Sequence, residues 1–197
     1  MPITYAGITP TLLFDTRDLQ DTEKLSRRNG KLMRNRNGVC MALVVDWLQK
    51  SQQLPGGVTE KSQLKSGLAL SLAQTAYMRH AFQEAGTSND SSFIQGQGLS
   101  VENYASLKKK FFSTKKGRLE KIALACAFGG YVYIGVSGNG GHALGYRQTR
   151  GVFQFFDPNE GILQFNSATD FVKWFPAYIV GEYPDLVDLL EYTRVSG

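Results

Sequence analysis

The chain has 197 residues, 42% hydrophobic and 20% charged, which is ordinary globular composition and enough length to bury about 70% of its unfolded surface. No apolar run is long enough to span a bilayer, the start MPITYAGITPTLLFD lacks the layout of a Sec-type signal, and two cysteines make no disulfide framework. The net charge of +5 is basic without being extreme, and two free thiols suit a reducing compartment.

The composition predicts one domain over 1–197, opening with an irregular lead-in over 1–34 that carries a short helix around 17–28. The run VCMALVVDWLQKSQ predicts a helix from Val39 to Gln52, stopped by Pro55-Gly56-Gly57. A second helical stretch runs from Thr59 to Glu84, with a break near Gly67, and a loop follows from Gly86 through TSNDSS. SVENYASLKKKF reads as a third helix capped by Ser100. Beyond residue 120 the pattern changes. GGYVYIGVSG, HALGYRQT, VFQFFD and ILQF are four short strands, rich in β-branched and aromatic residues and separated by hairpin punctuation. Asn166 or Ser167 caps a short helix through ATDFVKWF, and the tail DLVDLLEYTRV fits either a strand or a helix. Helices first and an antiparallel meander second make an α+β domain.

Cys40 stands just inside the helix predicted from Val39, one residue after NRNG. Unpaired N–H groups and the positive end of the helix dipole favour a thiolate there, the form that attacks carbonyls. The ordinary alternative is a small buried hydrophobe, and Cys126, in the middle of IALACAFGG, fits that description better. Of the two histidines, His80 lies within a helical pattern beside Arg79, whereas His142 follows SGNGG and begins a strand. Asp157 ends the next strand. A hairpin turning near Thr149 to Gly151 brings the start of one strand beside the end of the other, so the two side chains meet if register agrees. Asp157 alone reads as turn chemistry. The three together follow the Cys–His–Asp logic of thiol acyl transfer. Such chemistry needs donors for a developing oxyanion. The Cys40 N–H and a side-chain amide supply them, with Asn35 preferred over Asn37, whose Asn-Gly pair reads as a turn.

These residues resemble a known family. NRNGVCMALVVDWL, then GGHALGY, then FFDPNEGILQF is similar to the YopT/AvrPphB family of papain-like cysteine proteases, bacterial virulence effectors delivered into host cells. The resemblance covers Asn35 to Phe175, with the middle helices matching only in kind. It implies Cys40 as nucleophile, His142 as general base and then acid, Asp157 as the orienting carboxylate and Asn35 as oxyanion donor. It also implies a papain-like fold, in which a helical part carrying the cysteine packs on an antiparallel sheet carrying His and Asp. Further implications are a host protein as substrate, secretion by a non-Sec route and action in the host cytoplasm or at a host membrane. Any delivery or autoprocessing segment is expected to be short or absent.

Two other readings stand beside this one, the first with the same triad. Deamidation or transglutamination passes through the same thioester. A non-catalytic basic module would use Lys108, Lys109, Lys110, Lys115, Lys116, Arg118 and Lys121 against an anionic membrane. Only Phe111 and Phe112 interleave with these lysines, which argues against nucleic acid. Two cysteines and two histidines far apart in sequence give no zinc spacing. The glycines of SGNGGH precede a strand, so they form no dinucleotide fingerprint, and no cofactor is expected.

Overall fold

The computed structural model describes residues 3–22, 25–28, 31–34, 39–54, 56–83, 89–108 and 114–197. In chain order the elements are β1 (Thr11–Phe14), α1 (Arg17–Thr22), β2 (Leu25–Arg28), β3 (Lys31–Arg34), α2 (Cys40–Gln53), α3 (Gly67–Gln83), α4 (Asn89–Gly96) and β4 (Ser100–Lys108). They continue with α5 (Lys115–Cys126), β5 (Gly130–Gly138), β6 (Gly140–Thr149), β7 (Val152–Asp157), β8 (Gly161–Phe165), α6 (Ala168–Glu182) and β9 (Leu189–Ser196). Seven strands form one antiparallel sheet in the order β1-β8-β7-β6-β5-β9-β4, and β2 and β3 pair as a separate hairpin.

The predicted meander forms as consecutive hairpins β5 to β8. The turn between β6 and β7 falls on Arg150 and Gly151, both at positive φ, so Thr149 pairs with Val152 and Gly145 with Phe156. The helix through ATDFVKWF also forms. Ser167 caps it by accepting from the Asp170 N–H, and it runs on to Glu182.

Three expectations are corrected and one open alternative is resolved. The lead-in is not irregular: Thr11–Phe14 pairs with β8 at one edge of the sheet, and a hairpin follows α1. SVENYASLK is an edge strand and not a helix, because it finds a partner in β9, eighty-odd residues further on. Its alternation of exposed and half-buried residues has the period of a strand. The ambiguous tail resolves as β9, inserted between β5 and β4. The polar stretch after Gly86 becomes helical from Asn89.

The sheet has an apolar core on each face. On one, α2 lays Met41, Val44, Val45, Trp47 and Leu48 against Tyr133, Ala143 and Phe156. On the other, α5 and α6 cover Ile134, Leu144, Tyr146, Phe155 and Phe165 with Leu119, Ile122, Phe171, Trp174, Phe175 and Tyr178. Each such side chain contributes about 1.5–3 kcal/mol of burial. The helix α2 comes so close to β6 that a Cβ on Gly145 would lie 2.7 Å from Trp47 Cζ3. Only a glycine admits the indole there.

The basic run also changes character. Arg118 is buried and donates to the carbonyls of Leu107, Val187 and Asp188, tying α5 to the ends of β4 and β9. It is a structural tie and no part of a surface patch. Lys115, Lys116 and Lys121 are exposed, while Lys109 and Lys110 lie outside the described residues.

Candidate active site

Cys40 is the first residue of α2, after Val39 at the cap. Three N–H groups at that end have separate uses. The Leu43 N–H returns to the Val39 carbonyl. The Ala42 N–H donates to Oε1 of Gln74, a fully packed residue of α3, at 3.1 Å. The Met41 N–H points to the Cys40 sulfur, as does the N–H of Ala143 from β6. The His142 ring is the other group that acts on the thiol.

His142 stands near the start of β6 and Asp157 at the end of β7. His142 Nε2 lies 2.8 Å from Asp157 Oδ1. Since Nε2 is held by the carboxylate, the nitrogen left for the thiol is Nδ1. Asp157 is fully buried, and four donors surround it. Oδ1 accepts from His142 and from the Asn159 N–H at 2.8 Å, and Oδ2 from Tyr178 Oη at 2.5 Å and Tyr183 Oη at 2.6 Å. That fills the acceptor capacity of an ionised carboxylate. The Tyr183 ring also stacks on the imidazole, with centroids 4.8 Å apart, and so covers the His–Asp bond.

The electrostatics follow from these contacts. Burial pushes the Cys40 thiol up, but the hydrogen bond and charge of His142, with the Ala143 and Met41 N–H groups, together hold it below its ordinary value. Burial pushes His142 down, yet the Asp157 charge and hydrogen bond, with Cys40, raise it to about 10. Burial raises Asp157, and His142 and the two tyrosines more than reverse that. All three shifts favour a thiolate–imidazolium pair beside an ionised carboxylate. Such a pair can attack a carbonyl carbon and then protonate a leaving amine. Cys40 is 7% exposed and His142 9%, so little of either side chain is open to solvent.

Cys40, His142 and Asp157 therefore stand together. Asn35 and Asn37 lie outside the described residues, and the side chain of His80, within α3, does too. The sequence reading missed Gln74, Asn159, Tyr178 and Tyr183. Asn159 was legible as part of the Asp-Pro-Asn turn, in which a side chain accepts from the N–H two residues on. The other three come from remote helices or loops and carry no local signal. Among the described residues no group of three or more His, Cys, Asp or Glu is placed to hold a metal ion.

One solved structure shares this architecture at a high TM-score and a second matches more weakly. The avirulence protein AvrPphB of Pseudomonas superposes with a TM-score of 0.62 at 18% identity, covering 83% of this chain and 94% of AvrPphB. PatoxP, a cysteine protease-like domain of the Photorhabdus asymbiotica toxin PaTox, matches at a TM-score of 0.43 and 9% identity, over 82% of this chain and 49% of that one. No curated protein matches by sequence. The family model of the Yersinia/Haemophilus virulence surface antigen, a peptidase family, matches residues 18–183. With most of its length matched and the AvrPphB fold around Cys40, the chain belongs to this YopT/AvrPphB-type family and is a cysteine protease.

Proposed function

We propose that the chain is an endopeptidase of papain-like architecture, secreted by a non-Sec route and cutting a host protein with a Cys40–His142–Asp157 triad. The observation that carries this reading is His142 held at 2.8 Å by a buried, four-times-bonded Asp157, with the ring lowering the pKa of the Cys40 thiol at the start of α2. In the proposed cycle the Cys40 thiolate attacks the scissile carbonyl. The oxyanion rests on the Cys40 N–H and on Asn35. The imidazolium gives its Nδ1 proton to the leaving amine, and the now neutral ring takes a proton from the water that opens the thioester. Asp157 holds the ring in place and keeps Nε2 protonated throughout.

Membership in a virulence family supports delivery into host cells. The exposed Lys115, Lys116 and Lys121 support an anionic membrane surface as one place of action. Among the described residues no helix is long and apolar enough to cross a membrane.

The test is to incubate host-cell lysate with wild type, Cys40→Ala, His142→Ala and Asp157→Ala and to sequence new protein N-termini. New termini with wild type alone, while circular dichroism shows all four folded, is the expected result. Equal cleavage by Cys40→Ala sinks the reading. Glutamine residues gaining about one dalton without chain cuts would assign the thioester to deamidation instead.

A further inference from the structure

The helix α2 and the strand β6 carry Cys40 and His142 at their starts, and at their far ends they enclose a second polar site. A cavity of about 180 Å³ is lined by Ser51, Gln52 and Leu54 from the end of α2, Tyr131 from β5, and Arg147, Thr149 and Arg150 from the end of β6. It has room for several waters, and hence for a small oxyanion.

Three donors at this site have no hydrogen-bond partner among the described residues: Arg147 Nε, Ser51 Oγ and Gln52 Nε2. Arg147 and Ser51 are 3% and 2% exposed. The neighbouring acceptors are already engaged. The Ser51 carbonyl accepts from Tyr131 Oη at 3.1 Å, the Lys50 carbonyl from the Leu54 N–H, the Leu54 carbonyl from the Gly57 N–H, and the Gly56 carbonyl from Arg147 Nη2 at 2.8 Å. The carbonyls that end a helix and would repel an anion are thus largely neutralised, and what remains is a surplus of donors.

The charge balance points the same way. Among the described residues no carboxylate lines the cavity, and burial lowers the Arg147 pKa, its guanidinium having left water without a described acid beside it. A buried cation of this kind is costly until an anion joins it. The guanidinium is held in place by Gly57 at φ +72°, where a Cβ would lie 1.5 Å from Arg147 Nη1. The planar fork of arginine suits two oxygens of one tetrahedral oxyanion. Arg150, exposed at the mouth, adds a second positive charge.

We infer that this cavity binds a phosphate group, held by Arg147, Ser51 and Gln52 with Arg150 at the entrance, and that its occupant links the far ends of the two elements that carry Cys40 and His142. The group belongs either to a soluble phosphate or to a phosphorylated lipid headgroup.

Calorimetry with inorganic phosphate, against chloride at equal ionic strength, tests the site without any cleavage assay, so its outcome is independent of the protease reading. Saturable binding in the millimolar range or tighter is expected for wild type. It should weaken at least tenfold in Arg147→Lys, which keeps the charge but loses the fork, and several-fold in Arg150→Ala, whose exposed side chain leaves folding undisturbed. Sedimentation with phosphatidylcholine vesicles, with and without phosphatidylinositol phosphate, separates the sources. Retention on the phosphorylated vesicles that Arg150→Ala weakens assigns a lipid headgroup, and saturable binding of inorganic phosphate without such retention assigns a solute. No saturable phosphate binding by wild type, or equal binding by wild type, Arg147→Lys and Arg150→Ala, overturns the inference.

Discussion

Cys40 and Cys126 are the same side chain in opposite settings. Both are free and buried, one at the start of α2 and the other at the end of α5. Burial raises both thiols. At Cys126 only the charge of Arg194 opposes it, and the pKa ends well above the ordinary value. At Cys40 an imidazolium and two N–H groups reverse the sign. Burial by itself makes a thiol inert, and reactivity comes from the charges and donors that burial brings within reach.

The largest expected effect separates the two thiols directly. At neutral pH iodoacetamide should modify Cys40 about 10²-fold faster than Cys126, and His142→Ala should remove most of that difference. Peptide mapping by mass spectrometry reads both sites in one sample. Equal rates would erase the contrast.

Asp157→Asn comes next. It keeps the shape and removes the charge that raises His142, so kcat/KM should fall by about 10³–10⁴-fold. The folded-state pKa of Asp157 is depressed, so its contribution to stability is present above the ordinary carboxylate pKa and is lost as pH falls through the folded value. His142 has the opposite sign. Its pKa is raised, so its contribution is complete below about 6.5 and is lost as pH rises through about 10. Urea melts across pH should show both losses in wild type. In Asp157→Asn the acid loss should shrink, and the alkaline loss should be smaller and complete at a lower pH.

Gly145→Ala disturbs the packing that sets Cys40 against His142. Its Cβ would meet Trp47 at 2.7 Å. Overpacking of this kind costs about 1–3 kcal/mol, and a displaced α2 should lower cleavage by about tenfold or more. Cys126→Ala, on the other face of the sheet, should leave cleavage within about twofold while costing about 1 kcal/mol. Parallel urea melts and rate measurements on the two variants check this.

The smallest effect concerns Gln74. Replacing it with Glu sets a negative charge at the start of α2, and the alkylation profile of Cys40 should move up by about one pH unit. Gln74→Met removes one hydrogen bond, costs about 1 kcal/mol and should leave that profile nearly unmoved. Identical profiles for Glu and Gln at this position would make the residue a packing element only.

The sequence reading went furthest where structure is local. Turn residues at 139 and at 150–151 and the β-branched and aromatic runs between them define a meander without help from remote partners, and this is the part that places His142 and Asp157. It fell short where a partner is distant. SVENYASLK has a polar surface compatible with either period, and its strand character comes from β9 at the other end of the chain. Thr11–Phe14 is likewise a strand only because Ile162–Gln164 lies beside it. Arg118 looks like one more surface charge until three carbonyls from two other segments converge on it.

The sequence by itself determined the helix start at Cys40, the hairpin bearing His142 and Asp157, and the α+β class, because these depend on capping, turn chemistry and side-chain period over a few residues. The tertiary structure alone decided that Gln74 bonds the start of α2, that Tyr178 and Tyr183 complete the shell of Asp157, and that Arg147 is buried without a described acid beside it. Those features are meetings of groups far apart in the chain, and only packing fixes which remote donor reaches which acceptor.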